Sequence, residues 1–162
     1  MALTKINNNT LSAVTTLPSA IATGKVLQVV STAKTDSFST TATSDTAVTG
    51  LSLSITPSSS SNKIYVIFTG PTACQNAGNY FGSIYIYRDS TRIVGGQAGN
   101  TGAASGHTQS SLSILDTPST TSAITYQLYA KSEGNSSVVY VNQPSGTVVD
   151  EKAVITAYEI AG

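Results

Sequence analysis

The sequence predicts an all-β fold, a two-sheet antiparallel jelly-roll sandwich preceded by an extended N-terminal arm. Three observations predict it. Ser and Thr together fill 48 of 162 positions; both do poorly inside helices, whereas Thr, Val, Ile and Tyr suit strands. Helix formers are scarce, with one Met, three Glu and eight Lys plus Arg. Short apolar alternations recur with polar turns between them, the spacing of a sandwich. A single domain of this length buries roughly 70% of its unfolded surface and needs no staple.

The elements follow in order. Residues 1–23 form a polar arm whose apolar residues include Leu3, Ile6, Leu11 and Leu17. Asn7, Asn8, Asn9 and Pro18 argue against a stable helix there. The head spans 24–162 and opens with a strand over 25–32. Leu51, Leu53 and Ile55 alternate with Ser52, Ser54 and Thr56, a half-buried strand that stops at Pro57. Residues 63–69 (KIYVIFT) are apolar on both faces, which predicts a central strand covered on both sides. Residues 80–88 carry Ile84 and Ile86 on one face and Tyr85 and Tyr87 on the other. Arg88–Arg92 reads as a hairpin turn into Ile93 and Val94. Strands over 111–116, 123–131 and 137–142 follow. The last strand, 151–160, puts Ala153, Ile155 and Ala157 on one face and Val154, Tyr158 and Ile160 on the other. Gly70–Asn79 and Gly95–His107 read as uncharged, glycine-rich loops.

Eight basic residues balance eight acidic ones, which argues against a nucleic-acid partner. The N-terminus lacks the apolar core of a signal peptide. No stretch approaches 18 apolar residues, so no membrane partner is expected. The chain is expected to be made in the cytoplasm. One cysteine, Cys74, rules out an internal disulfide and a multi-thiol metal site.

No catalytic pattern stands out. The single His107 lacks a nucleophile-elbow serine nearby. Cys74 has no adjacent cation to lower its pKa and reads as a buried small hydrophobe. Asp36, Asp45 and Asp89 read as turn formers rather than paired acids. The glycine-rich stretch after Gly95 has no following Lys-Ser/Thr. No enzyme, cofactor or metal is expected. Tyr65, Tyr85, Tyr87, Tyr126 and Tyr129 fall on predicted strands, where Tyr fills a sheet face and offers its hydroxyl to solvent; core or interface packing is the first reading, and a sugar-stacking platform, best at Tyr80 and Phe81, the second.

The order of motifs resembles a module of tail fibres and related virion proteins of marine and cyanobacterial phages. The resemblance rests on Gly24–Gln28, Asp36–Phe38, Leu51–Pro57, the serines 58–61 and Asn62–Ile64. Ile86–Arg92, Leu112–Ser122, Thr125–Ala130 and Val154–Ile160 extend it into the second half. The element order is also similar to the tumour-necrosis-factor-like, complement-type jelly roll. These resemblances imply a virion structural protein assembled from three copies. They imply no catalytic residues.

The resulting expectation is a trimeric tail-fibre or receptor-binding head. Leu3, Ile6, Leu11 and Leu17 would dock on other virion proteins. Ile155, Ala157 and Tyr158 would form the trimer interface. Asn76, Asn79, Tyr80, Gln97 and Asn100 would meet host surface glycan. A capsid decoration or cement protein is the alternative, and a polysaccharide-degrading enzyme a more distant one.

Overall fold

The structure, a computed structural model, describes residues 25–75, 81–99, 108–134, 137–142 and 152–162. These residues form ten strands and no helix. In chain order they are β1 (Val26–Lys34), β2 (Phe38–Thr40), β3 (Thr46–Ile55), β4 (Lys63–Gln75) and β5 (Gly82–Arg88). Then come β6 (Thr91–Gln97), β7 (Thr108–Asp116), β8 (Ile124–Ser132), β9 (Val138–Val141) and β10 (Ala153–Ile160).

Two antiparallel sheets result. Sheet A runs β1-β10-β4-β7, with β9 and β2 continuing from the far end of β4. Sheet B runs β3-β8-β5-β6. The pairings are nested: β5 with β6, β4 with β7, β3 with β8, and β1 with β10. A long hairpin rolled across two sheets gives this order, which is the jelly roll the sequence predicts.

The period-two pattern decides which side chains fill the space between the sheets. Leu51, Leu53 and Ile55 of β3 enter the core, as do Ile84 and Ile86 of β5 and Tyr126 and Leu128 of β8. Ile64, Val66 and Phe68 of β4 meet them from the other side, with Ala153, Ile155 and Ala157 of β10. The small residues of β10 have a packing reason. A Cβ on Gly70 would fall 2.7 Å from the Cα and Cβ of Ala153.

Two polar clusters tie the sandwich together. Asp116, at the end of β7, accepts both Arg88 Nη1, at 2.8 and 2.9 Å, and the Tyr126 hydroxyl, at 2.6 Å. This joins sheet A to sheet B. Tyr126 therefore points inward, not to solvent as expected, and burial followed by the bond to Asp116 raises its pKa. On β10, in the same cross-strand row as Ile64 and Asp116, Glu159 is 1% exposed. It accepts Asn62 Nδ2 at 2.6 Å, Ser58 N and Oγ at 2.6 and 2.7 Å, and Gln28 Nε2 at 2.9 Å. Burial opposes its charge, but these donors outweigh burial and hold its pKa at about 2.

Two expected loops shorten. Gly70–Gln75 continues β4, because it pairs with β7 as far as Thr72 and with β9 beyond it. Gly95–Gln97 belongs to β6, paired with Ser83–Tyr85. Strand β2, in a Thr/Ser-rich connection with no apolar alternation, was not anticipated.

Candidate functional site

The outward face of sheet A is built by the residues that alternate with the core set. Register aligns Val29, Tyr158, Tyr65 and Leu115 in one row across β1, β10, β4 and β7. The next row is Ser31, Thr156, Ile67 and Ser113. Val26 pairs with Ile160 at the near end. Val29 is 54% exposed, Leu115 51% and Val26 47%. The Tyr65 and Tyr158 rings lie 6.2 Å apart, centroid to centroid.

Val26, Tyr65, Ile67, Leu115, Tyr158 and Ile160 line an open groove of about 470 Å³. Four strands about 4.8 Å apart and two residue repeats of about 7 Å give a patch on the order of 300 Å². Its apolar part is smaller, since Ile67 is the one apolar residue in the row with Ser31, Thr156 and Ser113, and lies within the few hundred Å² that monomers expose, where patches are often functional. Fully burying a Val or Leu stabilises by roughly 2 kcal/mol, so each half-exposed one leaves about 1 kcal/mol ungained in the isolated chain. The arrangement can take an apolar surface. Of the expected double cover over β4, the described residues supply only the inner half.

This geometry redistributes the expected trimer residues. Ile155 and Ala157 are fully covered inside the chain's own core, because β10 presents alternate residues to opposite sides. Their place at a subunit interface is corrected. Tyr158 alone of the three faces outward. The sequence singles out Tyr65 as a strand tyrosine, but not Val26, Val29, Ile67 and Leu115. Their signal was the doubly apolar run 63–69 and the adjacent Ile114-Leu115, where neighbouring apolar residues must face opposite sides.

The remaining expected residues divide. Leu3, Ile6, Leu11, Leu17, Asn76, Asn79, Tyr80, Asn100 and His107 lie outside the described residues. Gln97 is described, exposed, and ends β6. Cys74 is fully buried, and burial pushes its thiol pKa up. Among the described residues, no three of His, Cys, Asp and Glu gather to hold a metal ion.

No protein-family model matches the sequence, and no curated protein matches it. Solved structures similar to it include a chain in the structure of infectious bursal disease virus Gt strain. It has a TM-score of 0.42 and 14% identity, over 99% of this chain and 54% of that one. A chain in the structure of the Gx strain of that virus has a TM-score of 0.39 and 17% identity. That match covers 83% of this chain and 36% of the other. The chain thus spans about half of one neighbour and about a third of the other.

Proposed function

We propose that the chain is a non-enzymatic structural component of a phage virion. Its jelly-roll head self-associates as a homotrimer, docks on other virion proteins through residues 1–23, and recognises host surface glycan. The observation that carries the reading is the apolar outer face of sheet A. The row of Val29, Tyr158, Tyr65 and Leu115 is an apolar surface of the kind that often serves as a contact face. Contact with other copies of the chain covers it.

Two further features support this reading. The resemblance to phage tail-fibre modules supports the virion setting, and that to the tumour-necrosis-factor-like jelly roll supports the three copies. The described carboxylates Asp45, Asp116, Glu133 and Glu159 are each taken up by ion pairs or hydrogen bonds within the fold, which suits a structural role.

The test is the solution mass, by light scattering, of the full chain and of a chain lacking residues 1–23. Three times the monomer mass in both is expected, with the interface in the head and the arm free for docking. A monomer in both would contradict the trimer and favour a clamp that assembles only on a shell.

A further inference from the structure

Sheet B turns the opposite chemistry outward. Its outer face reads, row by row, Lys131, Ser83 and Gln97; then Ala47, Tyr129, Tyr85 and Gly95; then Gln127, Tyr87 and Arg92. The Tyr87 and Tyr129 rings stack 4.1 Å apart with planes tilted by 33°. Asp45 binds both the Tyr87 hydroxyl and Arg92 Nη2. The Arg92 guanidinium sits 3.8 Å over the Tyr85 ring. Glu133 accepts Ser83 Oγ and the Tyr85 hydroxyl, and pairs with Lys131 Nζ at 3.1 Å.

We infer that this outer face of sheet B is a binding platform for a neutral pyranose glycan, built on the stacked Tyr87–Tyr129 pair. The inference rests on the proposed role in glycan recognition and gives that role a surface. Three features carry it.

The first is charge. Two carboxylates and two cations on the face are paired with one another. A charged ligand would have to displace a partner already in place, whereas a neutral one leaves both pairs intact. Desolvation opposes the charge of each acid, yet the hydrogen bonds keep the pKa values of Asp45 and Glu133 low, so the pairing persists across neutral pH.

The second is shape. Ala47, a small neighbour, stands opposite Tyr129, while the Tyr85 ring folds onto Gly95 beneath the Arg92 guanidinium. A Cβ on Gly95 would collide with the Tyr85 ring, which lies over that backbone. The apolar C–H face of a pyranose packs on a partly exposed ring such as Tyr129, while its hydroxyls need neutral hydrogen-bonding groups alongside. Gln97 and Gln127 provide amides on the same face, and Gln97 is one of the residues expected from the sequence to meet a receptor.

The third is preorganisation. Tyr85 and Tyr87 are held by their hydroxyls and by stacking, so a ligand meets rings that have already lost their rotamer freedom. A single site of this kind is weak, and repeated copies supply avidity.

The test is saturation-transfer NMR on the full chain. The probes are the methyl α- and β-pyranosides of glucose, galactose and mannose. Transfer to the sugar ring C–H protons is expected for the native chain. Tyr129→Ser should lose it, and Tyr129→Phe, which keeps the ring, should retain it. No transfer to any of these pyranosides, or undiminished transfer in Tyr129→Ser, would overturn the inference. Light scattering on the same samples separates the two claims. A trimer without transfer sinks the platform and leaves the structural reading; a monomer with transfer supports the platform and sinks the trimer.

Discussion

Tyr65 and Tyr158 face each other across β4 and β10 on the outer side of sheet A, ring centroids 6.2 Å apart and planes tilted by 35°. Each strand turns its other face to a filled core: Ile64 and Val66 on β4, Ala157 on β10, all fully buried. Among the described residues, the two central strands of sheet A are therefore apolar on both sides and covered on one. That asymmetry is the observation behind the proposed assembly face.

The inter-sheet link predicts a cost in stability. Asp116→Ala removes the acceptor of Tyr126 and the partner of Arg88. It leaves a buried hydroxyl unsatisfied, and should destabilise by about 2–3 kcal/mol, the range for a hydrogen-bonded charge. Tyr126→Phe keeps the ring in the core and the Arg88–Asp116 pair, and should lose about 1.5 kcal/mol, the low end for a bond to a charged group. Urea midpoints at unchanged slope measure both.

Glu159 predicts an acid limb. Its folded pKa of about 2 lies below the ordinary glutamate value of 4.5. The stabilisation is complete above the unfolded pKa and is lost as pH falls from about 4.5 towards about 2. Glu159→Gln, with no charge to lose, should flatten the thermal midpoint against pH over that window. An unchanged acid limb would count against this contribution.

Cys74 predicts protection. Its thiol is fully buried, with a pKa raised by burial, so a thiol-specific reagent should not react with the folded chain at neutral pH. Reaction should follow unfolding, with labelling rates rising in parallel with loss of the β signal in denaturant. Rapid labelling of the native protein would contradict the packing around β4.

The fold was legible because a sheet residue's side is set by parity. Leu51, Leu53 and Ile55, and the split of β10 into two faces, followed from alternation alone. Parity says that Ile155 and Tyr158 face opposite ways, but not which side is the core. That depends on where the second sheet lies, and Ile155 and Ala157 were consequently placed at an interface. The same limit hid the tyrosines. Tyr85, Tyr87 and Tyr129 share a face only after β5 and β8 pair in register, and Asp45 reaches Tyr87 from 42 residues away. Gly70–Gln75 looked like a loop because glycine and proline are local turn signals. Pairing with β7 and β9 overrode them.

The central claim is that the outer face of sheet A holds copies of the chain together. The most direct test is the light-scattering mass of the full chain beside Leu115→Arg and Tyr158→Arg. Both positions point away from the core, so both variants should keep the β fold. The account predicts a trimer for the native chain and a monomer for each variant, with far-UV spectra unchanged. A trimer that survives both substitutions would contradict it.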